Sequence, residues 1–313
     1  MKNAKRSPAR DLFFCDNTQT IIKKMKKIIS IQGVRGAFHQ EAAVGYFGGN
    51  IDIHECITFQ QLIDSVENGD SHFGVMAVEN SLVGCILPNY TLIRESKLQV
   101  VGEIYLRIVQ NLIASIGESV DTIVEVRSHP MALAQCDLFF KNHPEIRLIE
   151  SEDTALSAKQ IAELKLKGVA TVASQKAAHE YGLDVIASSI ESNKENYTRF
   201  LILEKKSIAK IPSGSNKASI TFTAKHQPGS LLQILKPFAE NGINMTMLQS
   251  LPIVGKKWEY IFHADLAFMS AIDFYQALEY ARQYTSTLKI LGVYRSHEMV
   301  EQPEMQDSLV HYC

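Results

Sequence analysis

The alternation of apolar and polar positions divides the chain into short strands and helices. Apolar, β-branched runs alternate with windows of helical periodicity from Lys27 onward. This alternation predicts parallel strands joined by crossover helices, and therefore an α/β fold. The first set consists of strands at 28–32, 51–57, 73–78, 100–106 and 108–115 and of helices at 38–47 and 59–67.

A second set of the same kind follows and predicts a second lobe. Its elements are strands at 122–126, 147–149, 169–173, 184–190 and 198–204 and helices at 131–141 and 155–166. Ser128 and Pro130 fit the N-cap and the first turn of the helix at 131–141. The strand at 198–204 comes so late that it can return to the first lobe, which would leave a cleft between two lobes.

The C-terminal third has a different order of elements. A strand, a helix, two strands, a helix and a strand predict a ferredoxin-like βαββαβ unit. These elements are predicted at 218–223, 231–240, 245–253, 258–266, 271–284 and 288–294. Pro212, Ser213, Gly214 and Ser215 mark the preceding segment as a linker. The predicted divisions are an extension without stable structure at 1–27, a two-lobed domain at 28–205 (lobes 28–106 with 196–205, and 107–195), a linker at 206–216, the βαββαβ unit at 217–297 and a tail at 298–313.

Composition and charge exclude several classes of protein. The 313 residues are 46% hydrophobic and 21% charged, as in globular chains long enough for two or three compact units. The net charge of −2 comes without a basic stripe, so we expect no nucleic-acid partner. No apolar run approaches the roughly 20 residues of a membrane helix, so we expect no membrane partner. The five cysteines form no Cys-x-x-Cys pair, which favours reduced thiols in the cytoplasm.

Candidate binding chemistry is confined to polar motifs at the ends of predicted strands. The ten histidines contain no His-x-x-x-His pair and no phosphate-loop sequence occurs, so neither a metal nor a nucleotide site is predicted. Gly33-Val34-Arg35-Gly36 lies between a strand and a helix, where backbone N–H groups can bind an anion or simply form a tight turn. Glu79, Asn80 and Ser81 end a buried strand, where α/β sheets bind ligands, although a turn capped by Ser81 has the same pattern.

Two further motifs lie at comparable places. Ser128, His129 and Gln135 belong to the start of the predicted helix in the second lobe, where an N-cap and a solvated glutamine would account for them equally. Asn196-Tyr197-Thr198-Arg199-Phe200 places a hydroxyl and a guanidinium at the start of a strand. Arginine suits a carboxylate through paired hydrogen bonds, and a surface salt bridge on an edge strand is the alternative.

Taken together, these motifs resemble prephenate dehydratase from about residue 28 to about residue 297. The matching positions are Gly33-x-x-Gly36-Ala37-Phe38, Val78-Glu79-Asn80-Ser81-x-x-Gly84, Ser128-His129-Pro130 with Gln135-Cys136, and Asn196-x-Thr198-Arg199-Phe200. The C-terminal unit looks like an ACT domain through Pro228-Gly229-Ser230-Leu231, Gly242-Ile243-Asn244, Trp258 and Lys289-Ile290-Leu291-Gly292-x-Tyr294. The resemblance implies a two-lobed catalytic domain like type 2 periplasmic binding proteins, followed by a domain that senses phenylalanine.

The family reaction converts prephenate into phenylpyruvate, water and carbon dioxide without a metal or organic cofactor. Losing the ring carboxylate together with the C4 hydroxyl creates an aromatic ring, so the enzyme must hold a dianion and help hydroxide leave. The resemblance makes Thr198 the first candidate for a hydrogen bond to the departing oxygen, with Glu79, Asn80 and Gln135 beside it. Glu79 would act as an acid only where burial favours its protonated form.

The remaining positions of the family motifs are expected to contact the substrate. Arg199 would either pair with a substrate carboxylate or brace Glu79, and the sequence leaves both open. Hydroxyls such as Ser81 and Ser128 would orient the carboxylates and the hydroxyl of the substrate. The full set of expected substrate-binding positions is Gly36, Ala37, His39, Ser81, Ser128, His129, Asn196, Arg199 and Phe200.

Two motifs depart from the family pattern. Ala37 and His39 stand where the family usually has hydroxyl residues, so Arg35 and His39 would substitute as cationic donors, or backbone N–H groups would suffice. The family's Glu-Ser-Arg-Pro appears as Gln249-Ser250-Leu251-Pro252, and we therefore expect weakened or altered control by phenylalanine. The expected effector contacts are Gly229, Ser230, Leu231, Asn244, Leu248, Gln249 and Ser250.

Two alternative functions remain open at the level of sequence. Arogenate carries an amine where prephenate carries a keto group, and one sequence does not define that preference. A non-catalytic binding protein with the same cleft and sensor is the second alternative, although Glu79-Asn80-Ser81 and Thr198-Arg199-Phe200 argue against it. ACT units usually pair edge to edge, so the resemblance also implies a homodimer or homotetramer.

Overall fold

Three β-sheets form the framework of the described chain. The computed structural model describes residues 26–206, 213–253, 255–256 and 259–297. The predictions for residues 1–25, for the linker position Pro212, for Trp258 and for the tail at 298–313 lie outside the described residues. Within the described part of the chain, no helix is long and apolar enough to cross a membrane.

Residues 27–107 form the first group of elements. The strands are β1 (Lys27–Gln32), β2 (Ile51–Cys56), β3 (Phe73–Asn80), β4 (Gly84–Cys85) and β5 (Leu98–Arg107). The helices are α1 (Phe38–Phe47), α2 (Phe59–Asn68) and α3 (Leu87–Glu95). Thr58 and Gln61 form a capping box that starts α2, and Gly69 ends this helix in a left-handed conformation.

Residues 111–205 form the second group. The strands are β6 (Asn111–Ala114), β7 (Glu125–Ser128), β8 (Arg147–Glu150), β9 (Val169–Ala173), β10 (Asp184–Ala187) and β11 (Tyr197–Lys205). The helices are α4 (Pro130–Gln135), α5 (Asp137–Lys141), α6 (Thr154–Leu164) and α7 (Gln175–Tyr181), and a short 3₁₀ turn lies at Val120–Thr122. Asp153 and Ser174 cap α6 and α7 by accepting from backbone N–H groups of the first turn.

These strands build two separate sheets and hence two lobes. The first sheet has the order β2-β1-β3-β11-β5 with β4 beside β3, and the second has the order β10-β6-β9-β7-β8. β11 runs antiparallel between β3 and β5, so the chain returns to the first lobe after building the second. Apolar side chains are buried on both faces of the first sheet, because α1 covers one face and α2 and α3 cover the other. The α/β fold predicted from the sequence is confirmed.

The C-terminal elements form the third sheet. They are β12 (Lys217–Ala224), α8 (Ser230–Glu240), β13 (Asn244–Pro252), β14 (Tyr260–Ala267), α9 (Ala271–Arg282) and β15 (Thr285–Tyr294). The antiparallel sheet has the order β13-β14-β12-β15, which is the ferredoxin-like arrangement of a βαββαβ unit. Phe222, Phe238 and Phe274 are fully buried between this sheet and its two helices.

The C-terminal unit docks on the first lobe through β15 and β5. Leu291 and Tyr294 of β15 belong to the same buried cluster as Leu98 and Val100 of β5. A Cβ added to Gly292 would overlap the carbonyl oxygen of Val100, so the two backbones approach closely there. This contact places the C-terminal sheet beside the strands that carry the Thr198 motif.

Several local predictions were wrong. The helices α3 and α7 were not predicted, although Pro88 in the first turn of α3 is a signal of a helix start; α7 is only 7 residues long. The helix predicted at 131–141 is broken at Cys136 into α4 and α5. Its N-cap is His129, whose Nδ1 accepts from the Met131 N–H, and not Ser128.

Candidate active site

The end of β3 and the start of β11 bring two of the predicted motifs together. The antiparallel register places Thr198 opposite Asn80 and Arg199 opposite Glu79. Asn80 Nδ2 donates a hydrogen bond of 3.0 Å to Thr198 Oγ1. A shift of register after Arg199 re-aims the following side chains, as bulges beside functional sites commonly do.

A chain of amide side chains runs from Thr198 into the second lobe. Asn80 Nδ2 also donates to Asn196 Oδ1 at 2.7 Å, and Asn196 Nδ2 donates to Gln135 Oε1 at 3.0 Å. Gln110 Nε2 donates to the same oxygen of Gln135 at 3.2 Å. Because Gln135 lies on α4, these bonds join the two lobes at the site and restrict each amide to one orientation.

Thr198 keeps a hydroxyl proton for a ligand. Its oxygen accepts from Asn80, and residues 26–206 and the other described segments contain no acceptor bonded to its O–H. The residue is only 9% exposed, so water competes little for that proton. A threonine hydroxyl has one donor and two acceptor positions. The arrangement can therefore donate one hydrogen bond to an oxygen atom placed between the lobes.

Glu79 and Arg199 form an ion pair beside Thr198. Arg199 Nη1 lies 3.7 Å from Glu79 Oε2, and the two side chains are 3% and 38% exposed, respectively. Arg199 Nε donates to Glu103 at 2.8 Å, and Nη1 donates to Asp265. The expected contact of Arg199 with a substrate carboxylate is not supported, because protein carboxylates already hold the guanidinium, whereas the brace for Glu79 is present. The burial that an acid role for Glu79 requires is absent.

Three other expected contacts are occupied within the protein. Ser81 Oγ donates to the Glu195 carbonyl at 2.7 Å and accepts from the Tyr197 N–H at 2.9 Å. Ser128 is fully buried, and its Oγ donates to the Val172 carbonyl at 2.7 Å. The ring of Phe200 is 1% exposed and packs in the core of the first lobe. These three side chains bond or pack within the protein, and their contact with a substrate stays a prediction.

The turn before α1 packs against the second lobe. A Cβ on Gly36, which has a φ of +86°, would lie 2.7 Å from Ala177 Cα on α7. The Gly36 carbonyl accepts from Ser174 Oγ at 2.8 Å, and Ala37 is buried in the same cluster as Ala177. The N–H groups of Arg35, Gly36 and Ala37 donate to Glu55 Oε1, Gln40 Oε1 and the Val34 carbonyl. These three N–H groups are bonded within the protein, which supports the alternative of a tight turn.

His39 is a neutral side chain in this fold. Its ring centroid lies 5.0 Å from that of Phe200 and 5.7 Å from that of Phe59. Burial lowers the pKa of His39 to about 4, so the imidazole is unprotonated near pH 7. The expectation of a cationic donor at His39 is therefore wrong. Its buried Nε2 has no hydrogen-bond partner among the described residues.

His129 and Arg35 remain closer to solvent. His129 is exposed and caps α4 through Nδ1. Arg35 is half exposed and lies 3.6 Å from Glu55, so its guanidinium is not enclosed by carboxylates as that of Arg199 is. Of the two cationic donors that the sequence suggested in this turn, only Arg35 carries an exposed charge.

The expected effector contacts fall in two places. Ser230 and Leu231 line a cavity of about 380 Å³ together with Pro228 and Tyr260, and Gly229 precedes α8 with a φ of +80°. Ser230 Oγ is buried and has no partner within the described segments. The other expected contacts, which do not line this cavity, lie on β13 and are Asn244, Leu248, Gln249 and Ser250.

Sequence reasoning missed the residues that surround Arg199. Glu103, Asp265 and Tyr294 are all buried, and each bonds the guanidinium. Glu103 stands in the apolar strand LQVVGEIYLR, and Asp265 in YIFHADLA. A charge in the middle of a buried strand requires a partner, because an unpaired buried charge is very costly. That signal identifies such positions but not which residue pairs with them.

Comparison with known proteins places this geometry in a family. A model described as prephenate dehydratase matches residues 29–208. A bifunctional chorismate mutase/prephenate dehydratase of Aquifex aeolicus is 36% identical over 276 residues, which cover 87% of this chain and 74% of that protein. An arogenate dehydratase/prephenate dehydratase 2 of Arabidopsis thaliana, a chloroplastic protein, is 34% identical over 289 residues, covering 88% of this chain and 75% of that protein.

Two solved structures match most of the length of this chain. GqqA, described as a novel type of quorum quenching acylase, matches with a TM-score of 0.80 and 29% identity over 87% of this chain and 98% of that one. A prephenate dehydratase from Arthrobacter aurescens in complex with L-Phe has the same fold, with a TM-score of 0.76 and 23% identity over 86% of this chain and 89% of that one. Since the family model spans more than half of the sequence and the Aquifex protein is alike over most of both chains, this chain belongs to the prephenate dehydratase family.

Proposed function

We propose that this chain catalyses the decarboxylative dehydration of prephenate to phenylpyruvate. The observation that carries the proposal is the Thr198 hydroxyl, whose oxygen is held by Asn80 while its proton stays free between the lobes. The ion pair of Glu79 with Arg199 stands directly beside it. The reaction is inferred from membership of the family. The Thr198 hydroxyl can donate the hydrogen bond that the departing oxygen of this reaction needs.

In this reaction two bonds of the substrate ring break. The electron pair of the bond to the ring carboxylate moves into the ring as carbon dioxide leaves, and the C4–oxygen bond breaks as hydroxide departs and takes up a proton from solvent to become water. Thr198 is too weak an acid to give up its proton outright, so it stabilises the departing oxygen by donating a hydrogen bond. Positioned donors of this kind contribute roughly 10²- to 10⁴-fold to a rate.

The remaining polar side chains fix the frame around that donor. Asn80, Asn196 and Gln135 hold Thr198 and the two lobes in register. Arg199 holds Glu79 in place beside Thr198, and the carboxylate of Glu79 stays partly exposed. We propose that Arg35, whose guanidinium is half exposed, meets a carboxylate of the dianion, while His39 contributes a neutral ring.

Phenylpyruvate formation by the wild type and by Thr198→Ala tests this proposal, with absorbance in alkali as the readout. We expect kcat to fall by roughly 10²- to 10⁴-fold in Thr198→Ala and to recover largely in Thr198→Ser, which restores the hydroxyl. A wild type that forms no phenylpyruvate contradicts the proposal. Equal activity of Thr198→Ala and wild type contradicts the role given to the hydroxyl.

Arogenate is the second candidate substrate. The Arabidopsis relative is named as acting on both arogenate and prephenate, and it is 34% identical to this chain. The two substrates differ only in an amine or a keto group on the side chain, away from the bonds that break. A comparison of kcat/KM for prephenate and for arogenate with the wild type decides between them, and we expect the larger value for prephenate.

We further propose that the C-terminal βαββαβ unit is an ACT domain that senses phenylalanine. The Arthrobacter protein of the same fold was solved with L-Phe bound. The cavity at Ser230 and Leu231 and the strand with Gln249 support a site, but Gln249 and Leu251 replace the charged pair of the family motif. We expect weakened or altered inhibition, and a titration that shows half-inhibition below about 1 μM phenylalanine would contradict this.

Assembly and location follow from the same resemblance. Within the described residues β13 pairs only with β14, so its outer edge is free to pair with a second copy in a homodimer or homotetramer. Light scattering on the purified chain measures this directly. Cys56, Cys85 and Cys136 are free thiols, which supports the proposal of a cytoplasmic enzyme.

A further inference from the structure

A buried group of charges joins the C-terminal unit to the active-site strand. Lys217 of β12 and Asp265 of β14 lie against Glu103 of β5 and Arg199 of β11, and all four side chains are at most 6% exposed. Charges this deep are tolerated only when each is paired, because the desolvation cost of a lone charge is large. Both pairs cross between the units: Lys217 Nζ lies 2.9 Å from each Glu103 oxygen, and Arg199 Nη1 donates to Asp265.

Arg199 is the member of this group that both units hold. Its Nε donates to Glu103 Oε2 at 2.8 Å, and its Nη2 donates to Tyr294 Oη at 3.1 Å. Ser219 Oγ donates to the second oxygen of Asp265, which fixes the carboxylate that receives Nη1. The guanidinium is planar and rigid, so partners on three of its nitrogens determine its position completely.

The position of Arg199 bears directly on the candidate donor. Arg199 follows Thr198 in β11, and the two side chains point to opposite faces of the sheet. Thr198 meets Asn80 on one side, while Arg199 meets the C-terminal unit on the other. Nη1 also lies 3.7 Å from Glu79, so one guanidinium contacts Asp265 and a carboxylate of the active site. A displacement of Asp265 would therefore move Arg199, and with it the neighbouring Thr198 and the paired Glu79.

We propose that Asp265 is a positioning residue for the active site, which acts from the C-terminal unit through Arg199 on Thr198 and Glu79. The inference rests on the proposed function, since its readout is dehydration of prephenate. Asp265 does not touch the substrate, so its loss should lower kcat and leave KM nearly unchanged. A misplacement of about 1 Å at a reacting group costs on the order of 100-fold in rate, which sets the scale of the effect.

The test uses the full chain with Asp265→Asn, which keeps the shape of the side chain and removes its charge. We expect kcat to fall about 10- to 100-fold while KM changes by less than about threefold. Ser219→Ala is the gentler second variant, since it removes a hydroxyl that bonds both Asp265 and Tyr294, the two partners of Arg199 in the C-terminal unit, and it should lower kcat in the same direction.

Lys289→Met is the matched control for loss of a contact between the units. Lys289 Nζ donates to the carbonyls of Arg94 and Ser96 across the same boundary and does not touch Arg199. We expect its kcat to stay within about twofold of wild type, because that contact lies away from the guanidinium.

A double-variant cycle separates positioning from general loosening. Because Asp265 is proposed to act on both Thr198 and Glu79, Asp265→Asn should lower kcat less in a Thr198→Ala background than in the wild type, and the loss that remains there is the part that acts through Glu79. An inactive wild type would overturn this inference together with the proposed function. An active wild type would leave the function standing while the inference fails in any of three cases: unchanged kcat in Asp265→Asn, the same loss in both backgrounds, or the same loss in Lys289→Met.

Discussion

At the scale of single residues, the amide of Asn80 decides in which direction the Thr198 proton points. Its Nδ2 has two hydrogens and lies within hydrogen-bond distance of three oxygens, those of Thr198, Asn196 and the Tyr197 carbonyl, while its Oδ1 accepts from the N–H groups of Leu82 and Val83. The amide therefore cannot turn over without losing its hydrogen bonds on both ends. With a donor fixed on its oxygen, Thr198 is left to act as a donor itself.

Replacing Asn80 by aspartate should reverse this hydrogen bond. A carboxylate only accepts, so in Asn80→Asp the Thr198 proton would be drawn away from the substrate. We expect kcat for phenylpyruvate formation to fall by at least about 100-fold. Asn193→Asp is the matched control and should behave as wild type, because Asn193 Oδ1 only accepts, from the Glu195 N–H. Wild-type turnover in Asn80→Asp would show that the direction is assigned wrongly.

Residue types in the motifs were predictable from the sequence, whereas their contacts were not. Thr198, Asn80, Asn196 and Gln135 stand in separate stretches of the chain, yet they form one hydrogen-bonded group. Ser128 belongs to the same motifs, but its hydroxyl donates a hydrogen bond to the Val172 carbonyl. Whether a side chain faces a ligand or a neighbouring backbone depends on distant strands, which the local pattern does not contain.

At the scale of elements, the two lobes meet where the turn before α1 touches the start of α7. Ser174 caps α7 and at the same time donates to the Gly36 carbonyl, and Tyr181 at the end of α7 donates to the Arg35 carbonyl at 2.7 Å. Gly36 is required there on two counts. Its φ is positive, and α7 leaves no space for a Cβ.

A pair of glycine substitutions separates these two requirements. Gly36→Ala and Gly69→Ala both place a Cβ on a backbone with a φ near +86° or +87°, but only Gly36 has an atom of another element within reach. We expect Gly69→Ala to lower the free energy of unfolding by about 1–2 kcal/mol with little effect on turnover. Gly36→Ala should cost more and also reduce kcat/KM by about tenfold or more, since it pushes the lobes apart. Denaturant unfolding and steady-state kinetics on both variants provide the check, and equal effects would contradict the close packing.

The periodicity predicted most element bounds within three residues and missed the helices α3 and α7. Strand β9 and helix α1 have their predicted bounds, because each carries a complete apolar pattern. Helix α7 escaped prediction, since 7 residues give only two turns of periodicity and its stability comes from packing on the turn at Gly36.

At the scale of the whole molecule, the boundary between the C-terminal unit and the first lobe contains an uncharged histidine. His263 of β14 is 1% exposed, and its ring centroid lies 5.3 Å from that of Tyr90 on α3. Neither ring nitrogen has a partner in the described parts of the chain. Burial, and then the charge of Arg94, lower the pKa of His263 to about 4, while Asp265 opposes this.

The lowered pKa makes the docking of the two units sensitive to acid. Between pH 6.5 and 4 the unfolded chain binds a proton at His263 that the folded chain does not, so the free energy of unfolding falls as the pH drops. From pH 7 to pH 5 this amounts to about 1–2 kcal/mol. His263→Phe keeps a ring against Tyr90 but has no group that titrates there. Its free energy of unfolding should therefore fall by about 1–2 kcal/mol less than that of the wild type between pH 7 and pH 5. Unfolding of both proteins in guanidinium chloride at pH 7 and pH 5 measures this difference. His39 titrates in both proteins, so its contribution cancels. An identical loss of unfolding free energy in the two proteins would contradict the role given to His263.

The sequence by itself determined the fold class, the βαββαβ order of the C-terminal unit and the four motifs of the candidate site. These follow from local periodicity and from residue types at short spacing, which act within a few turns of the chain. Only the tertiary structure decided that Arg199 is enclosed by Glu103 and Asp265, that His39 is neutral and that Gly36 packs against the second lobe. Each of these depends on burial and pairing between strands far apart in sequence, and the free energy of a buried charge is set by those distant partners.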